Sequence, residues 1–221
     1  MAEPPGQPQV HRHVERPALV REVLVELAGH PFQPGRRVQD ARTDLLGELR
    51  QRGVVTLVRV GHPDQALLGT LLLAATEQGL VRVAYPSQGH DAALAQLADL
   101  VSPRILNAPG RLDEVARQLD EYFSRRRRAF DVPVDLRLSK GFRYSVLTHL
   151  RQIPYGATES YAQVAAATGH PRAVRAAGTA CATNPVPIVV PCHRVVRSDG
   201  SPGGYAGGPD AKRSLLTLEA A

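Results

Sequence analysis

The amino-acid sequence predicts an α+β protein, in which a small domain of strands and helices (residues 53–132) precedes a mainly helical domain (residues 133–221). Three observations lead to this fold class. Short β-rich runs begin near Val54 and give way to segments whose apolar residues recur at helical spacing. A proline-containing linker, DVPVDLRLS, separates the two halves. Beyond it, capping and turn signals indicate two short helices joined by a tight turn.

Composition and charge narrow the class of protein. Of 221 residues, 43% are hydrophobic and 22% charged, and no run of about 18 apolar residues predicts a membrane span. The polar N-terminus lacks the apolar core of a secretory signal, and two cysteines are too few for a disulfide framework. We therefore expect a location in the cytoplasm, or the nucleoid of a bacterium. The net charge of +6 favours an anionic partner such as nucleic acid, although a general arginine bias explains it equally well.

The N-terminal part of the chain carries little functional signal. Residues 1–16 are polar and proline-rich, which is typical of a disordered tail. Residues 17–52 contain two short runs with apolar residues at helical spacing, and these predict a helical extension of unknown role.

The first domain is predicted to contain a strand near residues 54–60 and then a hairpin. In the hairpin, Glu77-Gln78-Gly79 connects strands at Leu71–Ala75 and Leu80–Ala84. Helices are expected over 90–101 and 110–130. The Arg125–Arg128 run at the end of the second is either a phosphate-binding patch or a solvated helix C-terminus, where cations suit the helix dipole.

The second domain is expected to hold a helix-turn-helix. After a helix that Pro154 ends, Ser160 and Gln163 have the spacing of a capping box. Gly169 suits a helix C-terminus, and Pro171 suits the first turn of a second helix reaching to about Ala180. That helix is rich in Ala, Gly and Thr, which favours close, sequence-independent or minor-groove DNA binding over reading of base edges. The alternative is a packed helical hairpin without a ligand.

Cys192 is the candidate nucleophile. His193 and Arg194 follow it directly, and an adjacent base or cation activates a thiol. A β-branched run before it predicts a strand, on which His193 would point to the opposite face, so a structural cysteine remains an alternative. The flanking sequence favours a reactive cysteine over a structural one, since a rigid Asn184–Pro187 turn precedes Cys192 and a glycine-rich loop with Tyr205 follows it. Cys181 is interpreted as a packing residue, and the cysteine and histidine spacing does not suit zinc.

Residues 153–208 closely resemble the O6-alkylguanine-DNA alkyltransferases, above all in the pentapeptide PCHRV, Pro191–Val195. The resemblance is continuous over about 135–220 and weaker over 54–130. It implies an RNase H-like first domain and a winged-type helix-turn-helix in the second. It also implies a reaction without a cofactor, and we expect a monomer with no metal at the site. Such a protein irreversibly transfers the alkyl group of O6-alkylguanine, and of O4-alkylthymine, from double-stranded DNA to its own cysteine after base flipping.

The resemblance also implies roles for individual residues. Cys192 would be the alkyl acceptor, His193 its base through a water, Glu219 the group that orients His193, and Asn184 the hinge to the recognition helix. Arg175 would fill the space left by the flipped base. Tyr161 would rotate the phosphate and contact the base, in a pocket with Pro187, Val195, Tyr205 and Ala206. The remaining residues expected at the DNA surface are Arg172, Ala173, Ala176 and Gly178. The alternative is a non-catalytic alkyltransferase-like protein that binds alkylated DNA, a class that lacks the cysteine.

Overall fold

The computed structural model describes the backbone of residues 55–60 and, further along the chain, residues 68–220. The predicted tail (1–16) and helical extension (17–52) lie outside these residues. Within the described part of the chain, no helix is long and apolar enough to cross a membrane.

The first domain is built on a four-stranded sheet. Its strands are β1 (Val55–Val60), β2 (Leu71–Thr76), β3 (Gly79–Ala84) and β4 (Ile105–Asn107), in the order β3-β2-β1-β4. The β1–β2 and β2–β3 pairs are antiparallel, whereas β4 runs parallel to β1. The predicted hairpin is thus confirmed, with a two-residue turn before Gly79.

Among the described residues of this domain, two α-helices accompany the sheet, α1 (His90–Leu100) and α2 (Asp113–Phe123). The second is shorter than predicted because the backbone leaves the helical region at Arg125, where φ is 60°. The arginine run then folds back over the helix end. The amide of Arg126 donates to the Glu121 carbonyl, and its guanidinium contacts Asp120 at 2.9 Å. This favours the helix C-terminus interpretation over a phosphate patch.

The predicted linker between the domains packs along the edge of β3. The Leu80 amide donates to the Pro133 carbonyl at 2.8 Å, and the Asp135 amide donates back to the Leu80 carbonyl at 2.8 Å. A Cβ at Gly79 would lie 2.4 Å from the Pro133 oxygen, so only glycine permits this approach. Further along the same strand, the Val83 amide donates to the Pro185 carbonyl at 2.8 Å. The strand therefore binds both the linker and the segment that precedes Cys192.

The second domain contains four helices and a short parallel strand pair among the described residues. The helices are α3 (Gly141–Leu150), α4 (Tyr161–Ala167), α5 (Val174–Ala182) and α6 (Gly208–Glu219), and the strands are β5 (Glu159–Ser160) and β6 (Val195–Val196). The capping box is confirmed: the Gln163 amide donates to Ser160 Oγ at 3.2 Å, and the Ser160 amide to Gln163 Oε1 at 2.7 Å. Gly169 adopts the left-handed conformation (φ 80°) that ends α4.

The predicted start of the second helix, at Pro171, is wrong. Residues 170–173 form a separate turn, closed by a 2.8 Å bond from the Ala173 amide to the His170 carbonyl, and α5 begins at Val174. Proline suits this turn as well as a first helical turn because it needs no N–H partner. Arg172 consequently lies in the turn and does not share a helix face with Arg175.

A continuous apolar cluster joins the two domains. It includes Val83, Leu119 and Tyr122 from the first domain together with Val146 and Leu215 from the second. The residues around Cys192 lie within this shared cluster, so both domains contribute to the environment of the thiol.

Candidate active site and DNA-binding surface

The thiol of Cys192 lies in a tight turn, which corrects the predicted strand. Residues Cys192–Arg194 form one turn of 3-10 helix directly after Pro191. The preceding loop closes on itself through a 2.9 Å bond from the Val190 amide to the Val186 carbonyl, and Ile188 has a φ of 75°. A β-branched residue at positive φ is strained, so the surrounding structure must hold it there. The thiol is 1% exposed and thus presented from a fixed, buried loop.

Asn184 holds this loop together from the end of the recognition helix. Its Oδ1 accepts the Val186 amide at 3.0 Å, while its Nδ2 donates to the Val190 carbonyl at 2.8 Å and to Cys192 Sγ at 3.1 Å. Asn184 follows α5 by two residues and is 2% exposed. A buried amide that uses both its ends in this way links the position of α5 to that of the sulfur.

We expect Asn184→Ala to lower the free energy of unfolding by about 2–4 kcal/mol, because the buried Val190 carbonyl and Val186 amide both lose their partner. Urea unfolding measures the change. Thr183→Ala is the matched control, since Thr183 is the exposed neighbour, and it should have little effect. Equal stability of the Asn184 variant and the unsubstituted protein would contradict the assigned role of Asn184 in the loop.

His193 and Glu219 form the second part of the site. His193 Nε2 lies 2.9 Å from Glu219 Oε1, and both side chains are almost fully buried. Because a carboxylate only accepts, Nε2 carries the proton and Nδ1 is left with its lone pair. Nδ1 is buried and has no hydrogen-bond partner among the described residues. The imidazole is therefore held in the tautomer of a base.

Glu219 is surrounded by donors. Oε1 accepts from His193 Nε2, from Arg194 Nη2 at 2.9 Å and from the Tyr122 hydroxyl at 2.6 Å. Oε2 accepts from Arg194 Nε at 2.9 Å and from the Gly156 amide at 3.2 Å. Glu219 ends α6, where the helix dipole opposes a negative charge, so donors outside the helix must stabilise it.

Burial and these bonds set the charges of the pair. Burial alone would raise the pKa of the Glu219 carboxyl, but hydrogen bonds from His193, Arg194 and Tyr122 outweigh it and hold that pKa well below its usual range. Burial lowers the pKa of His193, and the bond to Glu219 offsets this only in part. At neutral pH the pair is thus a carboxylate beside a neutral imidazole.

The sulfur itself is protonated in the substrate-free protein. Burial raises the pKa of the Cys192 thiol to about 11, against the opposing effects of the Asn184 hydrogen bond and the Lys212 charge. Lys212, on α6, is fully buried and donates to the Val195 carbonyl at 2.5 Å. A thiol in this state needs a base at the moment of reaction.

The structure shows the surroundings of two predicted substrate pocket residues, Val195 and Tyr205. Val195 is fully buried, and its carbonyl is occupied by Lys212. Tyr205 is held by a 2.8 Å hydroxyl contact with Tyr85 of the first domain. A surface cavity of about 260 Å³ is lined by Gly156, Ala157, Thr158, Val196, Gly200, Leu216, Glu219 and Ala220. It lies beside Glu219 and includes none of the predicted pocket residues Tyr161, Pro187, Val195, Tyr205 and Ala206.

The helix-turn-helix presents an exposed arginine next to small residues. Arg175 and Ala176 of α5 and Arg172 of the turn are exposed, while Ala173 and Gly178 are half-buried. On the opposite side of α5, Ala177, Ala180 and Cys181 are buried, which confirms the packing interpretation of Cys181. A single exposed arginine on a helix with small side chains is suited to entering a DNA groove without recognising particular bases.

Tyr161 connects this surface to the glycine-rich loop. A Cβ at Gly178 would touch its ring at 3.9 Å, and a Cβ at Gly203 would lie only 2.8 Å from its hydroxyl. Gly203 also has a positive φ of 66°, so both space and conformation require glycine there. The half-buried ring lies 5.7 Å from Lys212 Nζ, between α5 and the residues around the thiol.

Sequence reasoning missed three residues of the site, and it found Arg194 only as a cation beside Cys192, not as a partner of Glu219. Tyr122, Arg194, Lys212 and Tyr85 all contact predicted site residues. Arg194 had a signal, since it adjoins Cys192 and His193. Tyr85 and Tyr122 lie in the other domain, where no motif in the sequence connects them to Cys192. Among the described residues, no group of three or more His, Cys, Asp or Glu could hold a metal.

The fold and the site define a class of protein: a helix-turn-helix DNA-binding domain built around a buried cysteine, with a histidine–glutamate pair beside it. Family comparisons agree with this class. The DNA-binding domain of the 6-O-methylguanine DNA methyltransferases matches residues 141–221, and their ribonuclease-like domain matches residues 65–136.

Relatives and solved structures extend the match. A methylated-DNA–protein-cysteine methyltransferase of Methanosarcina barkeri is 47% identical over 106 residues, which are 48% of this chain and 66% of that protein. The bifunctional transcriptional activator and DNA repair enzyme Ada of Escherichia coli is 39% identical over 175 residues, 78% of this chain and 48% of Ada. Mycobacterium tuberculosis OGT, solved in complex with DNA, superposes with a TM-score of 0.61 at 34% identity and covers 76% of this chain and 92% of its own.

The chain therefore belongs to the 6-O-methylguanine-DNA methyltransferase family, and its α+β fold class is confirmed. It spans less than two thirds of the length of the M. barkeri and E. coli relatives.

Proposed function

We propose that this protein repairs DNA by transferring the alkyl group of O6-alkylguanine, in double-stranded DNA, irreversibly to Cys192. The main support is that Asn184, just after the recognition helix α5, donates a hydrogen bond directly to the sulfur. Beside the sulfur lies His193, a buried neutral histidine with a free lone pair. The names of the relatives, and the DNA complex of M. tuberculosis OGT, support the same reaction. O4-alkylthymine, which carries the same alkyl–oxygen bond, is the second substrate.

The reaction follows from the geometry. His193 Nδ1 accepts the thiol proton through a bridging water, since no direct bond from Sγ to His193 is present among the described residues. The sulfur forms a bond to the alkyl carbon while the bond between that carbon and guanine O6 breaks, and the electrons of that bond pass to guanine. Guanine takes up one proton, which balances the proton that the thiol lost, and remains in the DNA as the repaired base. The thioether is stable, so each molecule acts once.

The buried thiol requires the damaged base to leave the duplex. Extrusion of a base costs a few kcal/mol, least for a damaged one. Arg175 would occupy the vacated position, a role supported by its exposure on a helix whose neighbouring side chains are small. Tyr161, between α5 and the glycine-rich loop, would guide the base towards Cys192. The net charge of +6 favours approach to DNA without sequence preference.

The alternative function is non-catalytic binding of alkylated DNA. Alkyltransferase-like proteins of that kind lack the acceptor cysteine, whereas here Cys192 is present with its hydrogen-bonded surroundings. The two functions are separated by incubating the protein with duplex DNA that carries labelled O6-methylguanine. Transfer of one label per molecule supports repair, while tight binding without transfer supports the alternative.

We expect Arg175→Ala to slow repair of duplex DNA about 30-fold, since about 2 kcal/mol of support for the flipped state is lost. Transfer from free O6-benzylguanine should be nearly unchanged, because a free base needs no flipping. Single-turnover rates on both substrates measure the difference. Arg104→Ala, which removes an exposed charge from the first domain, is the matched control and should leave both rates unchanged. Equal losses on the two substrates would count against the assigned role of Arg175.

A further inference from the structure

Tyr122 joins the first domain to the histidine–glutamate pair. It lies on α2, is fully buried, and its hydroxyl donates to Glu219 Oε1 at 2.6 Å across 97 residues of sequence. The same hydroxyl is 3.3 Å from His193 Nε2. The phenol thus contacts the oxygen that orients the imidazole, as well as the imidazole nitrogen that carries the proton.

The ring of Tyr122 is held in a fixed orientation. It packs against Phe123, Phe130 and Tyr155, with ring centroids 5.5, 5.2 and 6.1 Å away. Burial and the neighbouring Glu219 charge raise the pKa of Tyr122 well above its ordinary value. The hydroxyl therefore stays protonated and can only act as a donor towards Glu219.

We propose that Tyr122 is a positioning residue of the alkyl transfer: its hydroxyl shares the charge of Glu219 and thereby keeps His193 neutral and correctly oriented. The proposal rests on the proposed function. It gives the ribonuclease-like domain a direct part in the chemistry, which the resemblance assigned wholly to residues of the second domain.

The physical effect has a definite sign. A donor to Oε1 weakens the pull of that carboxylate on a proton at His193, so removing the donor makes the imidazole easier to protonate. Of the charged groups that face the pair, Glu219 raises the pKa of His193, whereas Arg194 and Lys212 lower it. His193 is surrounded by Glu219 and Tyr122 and by Cys192, Arg194, Tyr205 and Lys212; Glu219 is contacted by His193, Arg194, Tyr122 and the Gly156 amide. Of these, Tyr122 is the neutral donor whose single hydroxyl can be removed without altering a charge.

The test is Tyr122→Phe in the full chain, with free O6-benzylguanine as the probe and single-turnover transfer followed from acid to alkaline pH. We expect the acid limb of the pH–rate profile to move to higher pH. Transfer should be about tenfold slower near about pH 6 and within about threefold of the unsubstituted protein near about pH 8. A loss of packing would lower the rate equally at every pH.

Two controls separate positioning from structure. Tyr155→Phe removes the neighbouring hydroxyl, which donates to the Leu218 carbonyl at 3.1 Å, and should leave the profile in place. In a His193→Gln background, Tyr122→Phe should cause no further loss, because its effect acts through the imidazole. If Tyr122→Phe does not fold, 3-fluorotyrosine at position 122 keeps the hydroxyl as a stronger donor and should move the acid limb to lower pH.

The outcomes are distinct. An unmoved acid limb, or an effect that adds fully to that of His193→Gln, would overturn the role of Tyr122 while the unsubstituted protein still transfers the benzyl group. Absence of transfer by the unsubstituted protein would overturn the proposed function, and this inference with it.

Discussion

We expect Cys192→Ser to bind alkylated duplex DNA but to transfer almost no alkyl group to itself. A serine hydroxyl is far harder to deprotonate than a thiol, and burial, which raises the pKa of Cys192 to about 11, disfavours an alkoxide still more. We expect the transfer rate to fall by more than about a thousandfold, or about 4 kcal/mol in the barrier. Quenched-flow transfer of labelled methyl, with DNA binding measured in parallel, separates loss of chemistry from loss of binding.

The matched control is Cys181→Ser. Cys181 is the second buried cysteine, it lies on α5, and its thiol is expected to serve in packing. Burial raises the pKa of Cys181, as it does that of Cys192, but its side chain lacks the bond that Asn184 gives to the Cys192 sulfur. Near-normal transfer by this variant is expected. Full transfer by Cys192→Ser, or loss of transfer only in Cys181→Ser, would show that Cys192 is not the alkyl acceptor.

Glu219→Gln is expected to lower the free energy of unfolding and to slow alkyl transfer. Arg194 would remain buried without its counter-charge, and the amide nitrogen of glutamine would face donors from His193, Arg194 and Tyr122. Removal of one partner from a buried ion pair costs about 3–5 kcal/mol of unfolding free energy. Transfer should slow by about a hundredfold or more, since His193 loses the group that fixes its tautomer. Urea unfolding and single-turnover transfer measure the two effects.

The effect of Glu219 on stability should depend on pH. Because the pKa of Glu219 is depressed in the folded protein, its contribution is fully present above the unfolded value near about 4.3 and is lost as pH falls through the folded value. The difference between Glu219→Gln and the unsubstituted protein should therefore narrow below about pH 4. Glu114→Gln, at an exposed ion pair on α2, is the control and should change stability little at any pH. A stability gap that widens in acid would contradict a buried, charged Glu219.

Local signals predicted the elements nearest the DNA surface. The capping box of Ser160 and Gln163 and the left-handed Gly169 depend on residues a few positions apart, so the sequence contains all that determines them. The hairpin of β2 and β3 is predicted for the same reason. The start of α5 was misplaced because Pro171 suits a turn and a first helical turn equally.

The turn that carries Cys192 could not be predicted from propensity. The run Ile188–Val190 is β-branched and indicates a strand, but prolines on either side lack N–H donors and Asn184 bonds the loop to itself. The pairing of His193 with Glu219 entered only through the resemblance. Tyr122 lies 97 residues from Glu219, and Tyr85 lies 120 residues from Tyr205. Contacts of that separation depend on how the two domains pack, which no local pattern encodes.

We propose that Cys192 is consumed as the alkyl acceptor. Intact-mass measurement after exposure to duplex DNA carrying O6-methylguanine, followed by peptide mapping, tests it most directly. We expect each protein molecule to gain one methyl group in place of one hydrogen, and the modified peptide to carry that group on Cys192. An unchanged protein mass together with disappearance of O6-methylguanine from the DNA, or a methyl group found on any residue other than Cys192, would contradict it.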